Sequence, residues 1–180
     1  MPRQLALLRA VNVGGRSVPM AELRECATAA GLKDVRSLLQ TGNLLFEADV
    51  GDAELEALLE AAIQARFGLA ADVIARTAAE WAEAITANPF PDAARDDPAH
   101  LVLVALKAAP GASNVEALRA AVVGRETLQA VGRELYLVYP DGIGTSKLTI
   151  SVIERKLGVR GTARNWNTAL KIAAALSSPA

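Results

Sequence analysis

Near the C-terminus, the stretch Gly161-Thr162-Ala163-Arg164-Asn165-Trp166-Asn167-Thr168 gathers a guanidinium, two amides and two hydroxyls. Read as a helix capped by Thr162, it puts Arg164, Asn167, Thr168 and Lys171 on one face. Trp166, Leu170, Ala173 and Leu176 then form an apolar stripe on another. Asn and Thr are mediocre helix formers, so a polar face built from them, with Asn165 beside it, points to recognition rather than solvation. A helix start carrying an arginine suits an anion, because backbone donors, dipole and guanidinium all favour negative charge.

Two glycine-rich loops offer similar chemistry. Asn12-Val13-Gly14-Gly15-Arg16 follows the apolar run Leu5–Arg9, and Asp141-Gly142-Ile143-Gly144-Thr145-Ser146-Lys147 lies in the second half. Both allow close backbone approach to a phosphate, yet neither has the spacing of a dinucleotide fingerprint or a P-loop. Each serves equally well as a turn with a helix cap. Arg9, Asn12, Gly14, Gly15, Asn43, Lys147, Arg164, Asn165, Asn167 and Thr168 make up the expected ligand-binding set.

Catalytic chemistry has less support, and no catalytic residue is assigned. The one histidine, His100, reads as opening a strand, and the one cysteine, Cys26, as a small core residue. Asp141 is the best-placed carboxylate, though Asp-Gly is also a turn signal. No cluster has metal-ligand spacing, so neither metal nor cofactor is expected.

The charge is unevenly spread along a chain of net charge −1. From residue 142 onward six basic side chains face one acidic one, Glu154, whereas residues 47–97 are strongly acidic. An anionic partner at the basic ends fits this pattern, as do merely solvated acidic helices. A lone cysteine, no leader-like start and no long apolar run lead to the expectation of a cytoplasmic protein without a membrane span.

Stepping along the chain, the patterns predict strands at Leu5–Arg9, Val35–Gln40, Leu44–Glu47 and Asp72–Ala75. Helices are predicted from Pro19, from Asp52 to Phe67, and after the capping box Thr77-Ala78-Ala79-Glu80. Residues 89–99 read as a connector. The order then repeats: a strand at Leu101–Leu106, a helix after the box Ser113-Asn114-Val115-Glu116, a hairpin around Gly132, a helix from Lys147 to Leu157 capped by Ser146 or Thr145, and the closing stretch. Thr-Ala-x-x-Trp at 77–81 and 162–166 supports a repeat with an offset of about 85 residues. The expectation is an α+β fold, a tandem duplication of a ferredoxin-like βαββαβ unit, each followed by a helix. Residues 1–88 would form the first repeat and 100–180 the second, packed as one module.

Leu8-Arg9-Ala10-Val11-Asn12-Val13-Gly14-Gly15, Val18-Pro19-Met20, Gln40-Thr41-Gly42-Asn43, Asn88-Pro89-Phe90 and Thr162-Ala163-Arg164-Asn165-Trp166-Asn167-Thr168 together resemble the bacterial domain-of-unknown-function family 1697. The resemblance implies a duplicated α+β fold in a single cytoplasmic module, and implies no activity. Thr41 stands where that pattern has serine, which keeps the hydroxyl. The leading functional expectation is a binding protein for an anionic small molecule or nucleotide. Single-stranded nucleic-acid binding on the sheet aromatics Phe46, Tyr136 and Tyr139 is a weaker alternative. An enzyme acting on a phosphorylated or acyl substrate through Asp141 or Lys147 is a third, and the balance is against catalysis.

Overall fold

The structure, a computed structural model, describes residues 1–9 and 17–178. It divides into two compact units, Met1–Ala82 together with the chain from Ile172 on, and Glu83–Lys171. Mixed α/β structure fills both, with two four-stranded antiparallel sheets and seven α-helices among the described residues.

In the first unit, β1 (Arg3–Arg9), β2 (Lys33–Leu38), β3 (Asn43–Glu47) and β4 (Asp72–Thr77) are ordered β2-β3-β1-β4. Helices α1 (Met20–Ala29) and α2 (Asp52–Phe67) contribute Leu23, Cys26, Leu55, Leu59 and Ile63 to a core with Ala6, Leu8, Leu44, Phe46 and Val73. The i, i+4 spacing of Leu55, Leu59 and Ile63 makes this apolar face, and Gly68 ends α2 in the left-handed conformation (φ 65°). On the other sheet face Leu5, Leu7 and Ile74 are also fully buried.

The second unit repeats that strand order as β6-β7-β5-β8: β5 (Leu101–Leu106), β6 (Thr127–Val131), β7 (Glu134–Val138) and β8 (Gly161–Asn165). The intervening helices of both units complete the set: α3 (Ala78–Thr86), α4 (Pro91–Asp96), α5 (Ala112–Ala120), α6 (Ile150–Leu157) and α7 (Trp166–Ser177). Val115, Leu118, Ile153 and Leu157 pack with Val102, Val104, Leu135 and Leu137.

Local chemistry explains where sequence and structure agree. Thr77 and Glu80 form the expected capping box: the Glu80 carboxylate accepts the Thr77 N–H at 2.7 Å and Thr77 Oγ1 accepts the Glu80 N–H at 3.1 Å. Hairpins occur around Gly42 (φ 75°) and Gly132 (φ 57°).

Four expectations are corrected. The stretch 161–165 is the strand β8, so Thr162 lies in a sheet and Arg164 is on no helix. Asn165 instead caps α7, its Oδ1 accepting the Thr168 N–H at 2.9 Å. The offset of 85 therefore aligns a cap with a mid-strand residue. Registers align Arg76 with Arg164, since Arg76 stands opposite Leu5 on one central strand and Arg164 opposite Leu103 on the other. Helix α5 starts at Gly111 without a side-chain cap, so Ser113 and Glu116 form no box. Helix α6 starts at Thr149, whose Oγ1 accepts from Val152, because Ser146 is engaged with Leu148 N–H and Glu126. Finally, 89–99 holds α4 and a single 3-10 turn, Pro98–His100. Pro91 and Pro98 each sit at a helix start, where a missing N–H costs nothing.

Candidate functional site

Asn12, Gly14 and Gly15 lie outside the described residues. The other first-unit candidates, Arg9 and Asn43, both sit at the C-terminal end of the central strand. Arg9 ends β1 and pairs with its cross-strand neighbour Asp72 at 3.5 Å. Asn43 is fully buried, and its Nδ2 donates to the Leu38 carbonyl at 2.8 Å and to Thr41 Oγ1 at 2.7 Å, which closes the β2–β3 turn. Gly42 completes that corner, its carbonyl accepting the Leu8 N–H at 2.9 Å.

In the second unit the candidates occupy the opposite end of the central strand. Asn165 stands across from Val102, and the 140–149 loop leaves β7 where Val138 meets Leu101. Asn165 and Asn167 are exposed and Thr168 is half-buried. Arg164 is buried, its Nη1 donating to Thr162 Oγ1 at 2.7 Å and to the Ala163 carbonyl at 2.9 Å. Arg76 does the same in the first unit, donating to the Ala75 carbonyl at 2.7 Å. Burial weakens the hold of Arg164 on its proton, and the group remains a cation at neutral pH.

Lys147 lines a cleft of about 220 Å³ with Gly124, Glu126, Asp141, Thr145 and Ser146. Its side chain is exposed, and no described residue hydrogen-bonds to it. The two acidic neighbours already accept hydrogen bonds, Glu126 through Oε1 while its Oε2 is buried with no partner among the described residues. Arg125 grips Asp141 through two guanidinium nitrogens, and this hydrogen bonding holds the Asp141 carboxyl below the usual range. Ser146 donates to Glu126, which likewise lowers that carboxyl, and Ser146 Oγ accepts the Leu148 N–H at 3.0 Å. A carboxylate so paired is a poor general acid or base near pH 7. Sequence reasoning missed Arg125, Glu126 and Gly124. The Glu126 carboxylate folds so closely over Gly124 that a Cβ there would meet its Oε2 at 2.5 Å. Only the adjacency Gly124-Arg125-Glu126 hinted at a tight turn.

The remaining chemistry-bearing residues have structural partners. His100 Nδ1 lies 2.7 Å from Asp97 Oδ2, and Cys26 is buried, with desolvation raising its thiol pKa. Phe46, Tyr136 and Tyr139 are all buried. The Tyr136 hydroxyl donates to the Ala84 carbonyl, and that of Tyr139 donates to the Leu148 carbonyl at 2.9 Å. Among the described residues no group of three or more His, Cys, Asp or Glu side chains is arranged to hold a metal, and no helix is long and apolar enough to cross a membrane.

Residues 1–136 match the family described as "Protein of unknown function (DUF1697)". No curated protein matches. Among solved structures the chain is similar to the conserved bacterial protein SP0830 from Streptococcus pneumoniae, at 24% identity over 99% of both chains and a TM-score of 0.78. At that identity the likeness is one of fold.

Proposed function

This chain belongs to the DUF1697 family, and we propose that it is a cytoplasmic binding protein for an anionic small molecule or nucleotide, with the ligand seated in the cleft beside Lys147. The observation that carries this reading is the state of the cleft's charges. Asp141 is gripped by Arg125 and Glu126 accepts from Ser146 through one oxygen, whereas the exposed Lys147 side chain lines the cleft with no hydrogen bond to a described residue. An ammonium with no partner among the described residues is a ready counter-charge for phosphate or carboxylate. Binding on the sheet aromatics is less favoured, because Phe46, Tyr136 and Tyr139 offer no exposed ring face for stacking.

We also read the chain as a tandem duplication of a ferredoxin-like βαββαβ unit. Two features support this: the common strand order, and the buried arginine at matching register that bonds the carbonyl before it.

Thermal-shift and calorimetric titration with pyrophosphate, AMP, ADP and short oligonucleotides tests the binding reading. A ligand present at a hundred times its Kd adds about 2.7 kcal/mol, so the wild type should melt several degrees higher. Lys147→Ala should lose that shift while keeping its own melting temperature. Absence of any response at millimolar ligand, or an unchanged response in Lys147→Ala, overturns it.

A further inference from the structure

What a cleft can hold depends on the hydrogen-bond donors and acceptors left over once the protein has satisfied its own. The cleft beside Lys147 has few donors left. Of the side chains lining it, Glu126 and Asp141 only accept, Val123 and Leu148 are apolar, and Thr145 and Ser146 carry one hydroxyl proton each. The Thr145 proton goes to the Asp141 carbonyl at 3.2 Å, and the Ser146 proton to the Glu126 carboxylate. Among the described residues, Lys147 is therefore the one lining side chain with protons to offer a ligand.

Acceptors are plentiful by comparison. Arg125 gives one bond to each Asp141 oxygen, through Nε and Nη2, which fixes the carboxylate and leaves a second lone pair on each oxygen. Asp141 lines the cleft and is exposed, so those lone pairs are open to a ligand. The exposed Thr145 hydroxyl, its proton turned to the Asp141 carbonyl, likewise presents its oxygen as an acceptor. Charge points the same way. Lys147 and Arg125 balance Asp141 and Glu126, so the cleft has no surplus positive charge for a second phosphate. Its volume, about 220 Å³, also falls below the range of about 300–1,000 Å³ that suits drug-sized ligands.

We propose that the ligand of this cleft is a compact polyhydroxylated acid: one acidic group, phosphate or carboxylate, held by the Lys147 ammonium, with adjacent hydroxyls donating to Asp141. This rests on the reading of the cleft as an anion site and narrows it. Hydroxyls bring the donors that the cleft lacks, and being neutral they leave the Arg125–Asp141 pair undisturbed. A ligand ammonium in their place would meet the Arg125 guanidinium across the same carboxylate. A second phosphate would find no further side-chain donor among the described residues and would face two carboxylates.

Calorimetric titration with matched probes tests it: glycerol 3-phosphate against propyl phosphate, and glycerate against propionate, pairs that differ in their hydroxyls alone. Pyrophosphate and phosphoethanolamine add a second charge, negative or positive. The hydroxylated member of at least one pair should bind about tenfold tighter, as suits a hydrogen bond to a charged acceptor. Which pair responds tells phosphate from carboxylate. Asp141→Ala should abolish the preference and keep the weaker affinity of the probe without hydroxyls, while Lys147→Ala should lose all binding. Circular dichroism and melting temperature check that each variant folds. No binding by any probe, or binding unchanged in Lys147→Ala, removes the anion site and this proposal with it. Three results overturn the polyol assignment while the anion site stands: Lys147-dependent binding that is equal within both pairs, tightest binding by pyrophosphate or phosphoethanolamine, or a hydroxyl preference that survives in folded Asp141→Ala.

Discussion

The carboxylate of Glu60, on α2, accepts the backbone N–H of Val73 on the edge strand β4 at 2.9 Å, and one turn earlier Glu56 accepts that of Ala75 at the same distance. The helix thus supplies hydrogen bonds that a fifth strand would otherwise make. These donors are largely shielded from water, and leaving one unmet costs about 1–3 kcal/mol. Glu60→Ala and Glu56→Ala should each lower stability by about 1 kcal/mol in urea unfolding. Glu60→Gln keeps a carbonyl acceptor and should lose much less. Equal losses for Ala and Gln would show that charge, not the hydrogen bond, is what α2 contributes.

Sequence patterns located these elements unevenly, and the reason is physical. Helix α2 was legible because Leu55, Leu59 and Ile63 repeat on one face and Gly68 ends it, both of them local signals. The capping box at Thr77 was legible for the same reason: its bonds join residues three apart. Strand β8 was not, because Thr162-Ala163-Arg164 becomes a strand by pairing with β5, far away in sequence. The site divides along the same line. Lys147 and Asp141 stood in a visible glycine loop, but Arg125 and Glu126 join it only across the gap between β6 and the loop after β7. The burial of Arg164 was hidden too, since an arginine's composition says nothing of where its strand will stack.

Both tyrosines of the chain are buried and hydrogen-bonded. Burial, with Glu126 adding to it, pushes the Tyr139 hydroxyl up to about 12, and burial beside Glu134 and Glu83 raises Tyr136 as well. A phenol held protonated by the fold, against about 10 in the unfolded chain, adds stability that is intact below pH 10. It is lost as pH rises from 10 toward 12, at about 1.4 kcal/mol per pH unit for each tyrosine. Ultraviolet titration should therefore show no tyrosinate near pH 10 and a rise that coincides with unfolding. Tyr139→Phe should roughly halve the pH slope of stability in that window. A tyrosinate signal with a midpoint near 10 in the folded protein would contradict the burial of these hydroxyls.

Leu39 holds a φ of 61° in the turn before β3, with 43% of its surface exposed. A left-handed backbone costs a non-glycine residue about 1–2 kcal/mol, and asparagine tolerates it better. Its side chain secures little packing in return. Leu39→Asn should raise stability by about 1 kcal/mol, seen as a gain of roughly 2–4 °C in melting temperature for a chain of this size. A lower melting temperature would mean that the Leu39 side chain packs more than its exposure suggests.

Gly161, the first residue of β8, has no unusual φ, so its requirement for glycine is one of space. A Cβ there would lie 2.8 Å from Leu106 Cδ2, 2.9 Å from Val104 Cγ1 and 3.1 Å from the Ala105 carbonyl oxygen. The two side chains are themselves fully buried, so neither has room to retreat, and the carbonyl belongs to the ladder. Replacing glycine by alanine normally gains about 0.4–1 kcal/mol by restricting the unfolded chain. Overpacking a filled core costs about 1–3 kcal/mol, so Gly161→Ala should destabilise by about 1–2 kcal/mol in urea unfolding. If the strain does displace the strand, Gly161→Ala combined with Val104→Ala should recover part of the clash term, and the double-mutant cycle should be non-additive. Strict additivity would place the cost elsewhere than in the contact between β8 and β5.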